Sequence, residues 1–172
     1  MIHIEHNYLT SEAYSFVENY CLNVSYTYGK SDVVGQIPTG LVHELDKESE
    51  IVSYFPTLCH GLPMAECSIN FFSPREYPNF HCDHTSGYTC LFYINKESHD
   101  LNEGGCTEIY VEGEKCLTSV LPIRNSFVTF PATNLHRATS FKTQPRFTIA
   151  VSYTHLRAHE TSLHLVCRLL LE

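Results

Sequence analysis

Three side chains of the types that bind iron stand in a spacing that could bring them to one ion. His81 and Asp83 flank Cys82 in an H-x-D pattern, and His136 lies much further along the chain. Side chains two positions apart on a strand point to the same side, so one strand could present His81 and Asp83 together. Two imidazoles and one carboxylate on one face of an octahedral ion leave its other positions open, and this donor set favours Fe(II).

An arginine further along the chain could serve the same site. Arg146 is followed by Phe147 and Ile149, so it lies in an apolar strand where an unpaired charge would be costly. A guanidinium binds a carboxylate through two hydrogen bonds, so an anionic cosubstrate would have a place to dock. Thr148 shares the face of Arg146 and offers a hydroxyl. The alternatives are an exposed arginine at a strand start after Pro145 and an ordinary β-forming threonine.

These residues fall in the part of the chain that is predicted to be β-structure. From about Cys67 onward, short runs rich in Phe, Tyr, Val, Ile and Thr are separated by turn residues. The predicted strands are Ser68–Phe72, Phe80–His84, Thr89–Ile94, Thr107–Val111, Lys115–Val120, Ser126–Phe130, His136–Thr139 and Arg146–Val151. Short strands at this pitch predict a jelly roll, also called a double-stranded β-helix.

The N-terminal part is predicted to supply helices that brace this core. Thr10 or Ser11 can cap a first amphipathic helix. Its apolar face would carry Ala13, Phe16, Val17, Tyr20 and Cys21. A second helix is predicted over Asp46–Phe55, where Pro56 ends it, and the polar stretch Tyr26–Thr39 is predicted to be a loop. The predicted fold class is therefore α+β, an all-β core with N-terminal helices.

We predict one domain over residues 1–150, with a helical part over about residues 1–60 and a jelly-roll core over about residues 67–151. Residues 151–172 begin with V-S-Y-T-H-L-R-A-H-E-T, which resembles one reading frame of a transposase adapter used in sequencing libraries. We interpret them as an artefactual tail, with the natural C-terminus missing, and do not count its histidines or Cys167 as ligands. The alternative is an amphipathic helix, whose face would carry Leu156, His159, Leu163 and Val166.

The composition narrows the class of protein and its partners. The chain has 172 residues, 43% of them hydrophobic and 17% charged, which is typical of a globular domain. A net charge of −8 without a long Lys/Arg cluster argues against a nucleic-acid partner. Eight cysteines without a C-x-x-C pair favour reduced thiols in a cytoplasmic protein over a zinc ribbon or a disulfide framework. We see no signal peptide and no apolar stretch of membrane length, so no membrane partner is expected.

Three segments around the candidate residues resemble prolyl hydroxylases of the oxygen-sensing kind, which belong to the Fe(II)- and 2-oxoglutarate-dependent oxygenases. Thr89–Lys96 is similar to the strand that follows the metal motif in that family. Asn102–Tyr110, with Gly104-Gly105 before a strand, is similar to its Gly-Gly turn. Phe127–Tyr153 resembles the closing segment that carries the last histidine and the arginine. The resemblance covers about residues 69–150, with its landmarks in order.

The resemblance implies a metal centre, a cosubstrate site and an activity. The implied iron ligands are His81, Asp83 and His136. The implied contacts of the distal carboxylate of 2-oxoglutarate are Arg146 and Tyr93, with Thr148 nearby; a core aromatic is the alternative role for Tyr93. The implied cofactors are Fe(II), 2-oxoglutarate as cosubstrate and O2, with ascorbate as a further one. The implied activity is hydroxylation of an unactivated C–H on a prolyl residue of a peptide, a related amino acid or a small molecule.

Two features depart from the family pattern. Prolyl hydroxylases often carry a tyrosine on the strand before the metal motif, where this chain reads Ile69-Asn70-Phe71-Phe72, and the loop Ser73–Asn79 also differs. These departures concern the substrate more than the chemistry. Two other functions stay open: a cupin-like metalloenzyme that uses the same three ligands without 2-oxoglutarate, and a non-catalytic jelly-roll binding protein with a vestigial triad.

Overall fold

The structure, a computed structural model, describes residues 1–29, 38–95 and 100–155. Its α-helix α1 spans Ser11–Asn23, and short 3-10 helices span Glu50–Tyr54, Leu101–Glu103 and Glu112–Glu114. The strands are β1 His3–His6, β2 Thr27–Tyr28, β3 Leu41–Glu44, β4 Leu58–Cys59, β5 Leu62–Phe72, β6 Tyr88–Ile94, β7 Thr107–Val111, β8 Cys116–Val120, β9 Ser126–Pro131, β10 His136–Ala138 and β11 Arg146–Tyr153. No helix in the described ranges is long and apolar enough to cross a membrane.

The strands form two antiparallel sheets that pack against each other. The larger has the order β1-β9-β6-β11-β5-β3-β2, with β4 paired to β5, and the smaller has the order β10-β7-β8. Successive side chains of β6 point to opposite faces of the larger sheet. Cys90 and Phe92 pack with α1, whereas Leu91 and Tyr93 pack with Ile109 of the smaller sheet. We call the face that meets the smaller sheet the inner face, and these two layers confirm the predicted all-β core.

The helix α1 covers the other face of the larger sheet, as predicted. The Thr10 hydroxyl accepts a hydrogen bond from the Ala13 N–H at 3.3 Å, which caps the helix. The buried residues of α1 are Tyr14, Val17 and Cys21. Phe16 lies at the edge of this apolar face, where its ring packs 5.7 Å from that of Tyr54 and stays 36% exposed.

The predicted helix over Asp46–Phe55 is wrong in type and length, because only the 3-10 helix Glu50–Tyr54 forms there. The residues before it form a turn that Asp46 closes. Its carboxylate accepts a hydrogen bond from the Glu48 N–H at 3.0 Å, and its carbonyl accepts one from the Ser49 hydroxyl at 2.5 Å. Such local bonds of Asp and Ser compete with helical backbone bonds and favour turns.

The predicted strand Phe80–His84 is also wrong. Only His81 pairs, through an isolated antiparallel bridge with His136, and the chain bends at Asp83. The segment must turn within a few residues to enter β6. Gly87 makes that turn at a φ of +99°, with its Cα so close to the Tyr153 carbonyl that a Cβ would lie 2.1 Å from the oxygen.

The other predicted strands are present, with ends that differ by a few residues, except that β5 begins already at Leu62. Four short strands escaped prediction: β1, β2, β3 and β4. All residues of β1 and β2 are exposed, so their sequences lack the alternation that marks a half-buried strand. The strand β2 lies within the predicted loop Tyr26–Thr39, and residues 30–37 of that loop lie outside the described residues.

The last strand extends into the predicted tail. Val151 and Tyr153 are buried in β11, and the Tyr153 hydroxyl donates to the Pro56 carbonyl at 2.6 Å. The first residues after Ala150 therefore belong to β11 and complete the larger sheet. Residues 156–172, including the alternative amphipathic helix, lie outside the described residues, and their interpretation as an artefact stays a prediction.

Candidate metal centre

The isolated bridge brings two of the predicted metal ligands together. The His81 N–H donates to the His136 carbonyl at 3.0 Å, and the His136 N–H donates to the His81 carbonyl at 2.9 Å. The two imidazole centroids are 4.5 Å apart. Asp83 follows in the bend, and one donor atom from each of the three residues lies within 4.8 Å of the other two. The three predicted ligands therefore converge, although the segment that carries His81 and Asp83 is not a strand.

Backbone carbonyls orient both imidazoles for metal binding. The Nδ1 atom of His81 lies 3.0 Å from the Asn79 carbonyl, and that of His136 lies 3.0 Å from the Asn134 carbonyl. A carbonyl can only accept, so each Nδ1 carries a proton, and Nε2 is the ring atom left to bind a metal. Both Nε2 atoms face the Asp83 carboxylate, each 3.6 Å from a different oxygen. Fixing the tautomer and the ring in this way is what holds metal-binding histidines in place.

The surroundings of Asp83 keep its carboxylate ionised. Burial by itself raises the pKa of Asp83. The neighbouring His136 and His81 and a hydrogen bond donated by the Thr89 hydroxyl lower it by more, so the pKa of Asp83 lies below its ordinary value. Sequence reasoning did not single out Thr89, because a threonine at the start of a strand is common.

Arg146 is a buried cation on the inner face. It is 2% exposed, so its alternative role as an exposed arginine at a strand start is wrong. Its Nε donates to the Gly105 carbonyl at 3.1 Å, and its Nη2 donates to the Thr107 hydroxyl at 2.8 Å. Among the described residues, no carboxylate forms a salt bridge with it. Burial lowers the pKa of Arg146, which reflects the cost of a desolvated guanidinium.

Buried hydroxyl groups surround this guanidinium. Tyr93 is fully buried opposite Thr148 in the β6–β11 pairing, and its hydroxyl lies 2.7 Å from that of Thr107. The Thr148 hydroxyl oxygen and that of Ser140 are buried and have no hydrogen-bond partner among the residues that the structure describes. A cation with spare donors on the same strand face as the unpartnered Thr148 hydroxyl matches the acceptors of a carboxylate. Sequence reasoning missed Thr107 and Ser140, which no motif distinguishes.

The strand β7 connects the two groups of residues. His136 lies in β10, which pairs with β7, and Thr107 of β7 contacts Arg146. Prolyl hydroxylases often carry a tyrosine on the strand before the metal motif, and this chain lacks it. The corresponding strand here is β5, where Asn70 lies opposite Thr148 and offers an amide instead. The structure thus combines a His/Asp/His cluster, suited to a ferrous ion, with a buried guanidinium suited to an anion.

A protein-family model matches the part of the chain that carries the candidate metal ligands and Arg146. Residues 67–154, which include the whole His/Asp/His cluster and Arg146, match the model of the 2OG-Fe(II) oxygenase superfamily. No curated protein sequence matches the chain significantly.

Comparison with solved structures identifies the fold. A prolyl-4-hydroxylase from Pseudomonas putida has a TM-score of 0.74 at 13% identity, covering 91% of this chain and 93% of that one. A prolyl hydroxylase from Trichoplax adhaerens, in complex with a hypoxia inducible factor peptide fragment, has a TM-score of 0.70 at 15% identity, covering 88% and 82%. A 2OG-Fe(II) oxygenase family oxidoreductase from Burkholderia pseudomallei has a TM-score of 0.68 at 9% identity, covering 89% and 84%. These similarities confirm the predicted double-stranded β-helix.

Proposed function

This chain belongs to the 2OG-Fe(II) oxygenase superfamily, and from that premise we propose that His81, Asp83 and His136 bind its Fe(II) and that Arg146 anchors 2-oxoglutarate. When bound, the iron and 2-oxoglutarate supply the oxidation by O2 that converts a substrate C–H into C–OH and releases succinate and CO2. The side chains of the chain itself hold these groups, orient them and limit the access of water.

The observation that carries the proposal is the buried guanidinium of Arg146. An isolated charge in the interior costs several kcal/mol unless a counter-charge compensates it. In the described part of the chain its partners are a carbonyl, a hydroxyl and two aromatic rings, Phe72 and Tyr93, whose centroids lie 5.9 and 5.6 Å from the guanidinium carbon. A dicarboxylic cosubstrate would supply the missing anion, and this favours the proposal over a cupin-like enzyme without 2-oxoglutarate.

The hydroxyl groups complete the anchor in this proposal. The hydrogen bond between Tyr93 and Thr107 fixes the wall beside the guanidinium. Thr148 then donates to the distal carboxylate, which satisfies a buried hydroxyl that has no partner among the described residues. At the metal centre, the proton on each Nδ1 leaves the Nε2 atoms of the two histidines to bind the metal, and the ionised Asp83 supplies the negative charge.

We propose a prolyl residue in a peptide as the substrate. The sequence resemblance to prolyl hydroxylases and the shared fold support this choice, and one of the similar structures holds a peptide fragment. A free amino acid or a small metabolite is the second candidate, because the strand residue Asn70 and the loop Ser73–Asn79 differ from the family pattern. The cytoplasmic location predicted from the cysteine pattern belongs to this proposal, and fractionation of cells that produce the protein tests it.

Turnover with a panel of substrates tests the function. Protein purified without oxygen is supplied with Fe(II), 2-oxoglutarate, ascorbate and O2, and offered proline-containing peptides, free proline and other amino acids. We expect one substrate class to raise the release of succinate in step with the uptake of O2. Product formed without 2-oxoglutarate would favour the cupin-like enzyme. Failure to bind either iron or 2-oxoglutarate would favour the non-catalytic binding protein.

A further inference from the structure

Contacts among three residues connect β7 and β10 with the segment that carries His81 and Asp83. His136 is buried, and the next residue of β10, Arg137, turns to the other side of the smaller sheet. There its Nε donates to the Glu108 carboxylate at 2.7 Å, and its guanidinium carbon lies 4.4 Å from the centroid of the Phe80 ring. Phe80 directly precedes His81. We call Phe80, Arg137 and Glu108 the outer clamp.

We propose that Arg137 is a positioning residue that keeps His81 and Asp83 in place to bind the metal beside His136. This inference rests on the proposed metal site. The segment that carries His81 and Asp83 is joined to β10 by one bridge, so the backbone ladder alone fixes it weakly. Hydrogen bonds from Cys82 to the Thr133 carbonyl and from the His84 N–H to the Ala132 carbonyl also tie this segment down after the bridge. Contact between Phe80 and Arg137 adds an attachment before it. Because Arg137 and Glu108 are register partners in β10 and β7, that attachment is anchored in the smaller sheet.

The chemistry of arginine suits this role. Its planar guanidinium can stack on an aromatic ring while its N–H groups donate to a carboxylate, whereas lysine offers a point charge without a plane. Without the outer clamp and without metal, the segment that carries His81 and Asp83 would sample arrangements in which the three donor atoms are far apart. The apparent affinity for metal then falls in proportion to the fraction of molecules that stay competent to bind.

Calorimetric titration with Mn²⁺ alone, at a temperature well below unfolding, tests the inference. We expect Arg137→Ala to weaken Mn²⁺ binding about three- to thirtyfold, the combined range of an exposed cation–π contact and an exposed ion pair. Phe80→Leu removes only the stacking and should weaken binding about two- to fivefold. Arg137→Lys should fall between the wild type and Arg137→Ala. Once Mn²⁺ is saturating, the affinity of these variants for 2-oxoglutarate should equal that of the wild type.

Arg124 provides a matched control. Its guanidinium carbon lies 4.1 Å from the centroid of the Tyr14 ring and its Nη2 lies 3.6 Å from the Glu18 carboxylate, so it makes the same two kinds of contact at a different place. Arg124→Ala should lower the unfolding temperature of the metal-free protein about as much as Arg137→Ala and leave Mn²⁺ affinity within twofold.

The outcomes separate this inference from the proposed function. Wild-type protein that does not bind Mn²⁺ would overturn the metal site itself. Wild-type binding with unchanged affinity in Arg137→Ala, or equal weakening in Arg124→Ala, would overturn the clamp alone. If Arg137→Ala does not fold, the Phe80→Leu variant decides, because leucine keeps the apolar packing while the ring contact is lost.

Discussion

The metal end and the anchor end of the candidate site are built in opposite ways. At the metal end, His81 and Asp83 lie on a segment that pairs through one bridge, and their side chains are 26% and 23% exposed. At the anchor end, Arg146 and Thr148 lie in β11, which pairs along its length with β5 and β6, and both residues are buried. The proposed metal end is thus partly exposed, while the proposed anchor end is enclosed by a continuous sheet.

Because of this difference in burial, substitutions at either end should change function more than they lower the free energy of unfolding. Removal of a metal ligand breaks few packing contacts, so it should affect chemistry far more than folding. The anchor end buries a guanidinium and hydroxyls whose partners are incomplete, which lowers the stability of the ligand-free protein. Substitutions there should therefore weaken binding without destabilising the fold, as is common where a functional site conflicts with stability.

Loss of a metal ligand should have the largest effect on turnover. Mutation of residues that merely support metal ligands reduces activity 10- to 100-fold, so we expect Asp83→Ala to lower succinate release by more than about 100-fold. Its free energy of unfolding without metal should change by less than about 1 kcal/mol, as measured in urea. His43→Ala, far from the cluster, is the control and should keep full turnover. Comparable turnover in Asp83→Ala and the wild type would refute the ligand assignment.

Loss of the anchor should be the next largest effect. Arg146→Met replaces the guanidinium by an uncharged chain of similar length. Truncation of a buried charge pair costs about 2–5 kcal/mol, so the affinity for 2-oxoglutarate, measured by calorimetry, should fall at least about thirtyfold. Mn²⁺ affinity should not change, because the metal ligands lie at the other end. The free energy of unfolding of the ligand-free variant should equal or exceed that of the wild type, because a desolvated charge is removed. Unaltered binding of 2-oxoglutarate would exclude the anchor role and favour the cupin-like alternative.

Removal of an unpartnered hydroxyl should have a smaller effect of the same kind. Thr148→Val keeps the shape of the side chain. We expect a loss of about 1.5–3 kcal/mol in the binding of 2-oxoglutarate and a gain of about 1 kcal/mol in the free energy of unfolding without ligand. Thr139→Val is the matched control, because the Thr139 hydroxyl donates to the Cys106 carbonyl at 3.0 Å. That variant should lose stability and keep its affinity, and the reverse pattern would contradict the anchor.

The same contrast explains how far the sequence could predict the structure. Part of the anchor end follows from local pattern, since the alternation of side chains in β11 places Arg146 and Thr148 on one face. Tyr93 was predicted from the family resemblance, because its place beside them depends on the pairing of β6 with β11. The metal ligands were found from residue types and order, although the strand predicted for His81 and Asp83 does not form. Their convergence depends on a distant partner, His136, and on the turn at Gly87, which are tertiary features.

Other parts of the site carry no local signal. Thr107 is an ordinary polar residue until β7 places its hydroxyl beside Arg146. The contact of Arg137 with Phe80 joins segments that are distant along the chain, and no short-range pattern identifies it. The exposed edge strands β1 and β2 show no alternation of apolar and polar residues. Their pairing depends on the neighbouring strands β9 and β3 and not on their own side chains.

The pH dependence of stability should be the smallest effect, and it should appear only at the metal end. The folded-state pKa of Asp83 lies below its ordinary value of 3.8 because, although burial raises it, His136, His81 and Thr89 lower it by more. A lowered pKa contributes stability that is present above the ordinary value and is lost as the pH falls through the folded-state value. In the presence of a chelator, the free energy of unfolding of the wild type should therefore exceed that of Asp83→Asn by more at pH 6 than at pH 3. The difference between the wild type and Thr148→Val should not change over this range, because neither side chain titrates. A difference for Asp83→Asn that grows on acidification would mean that burial dominates at Asp83, and the carboxylate would then be poorly prepared to bind a metal.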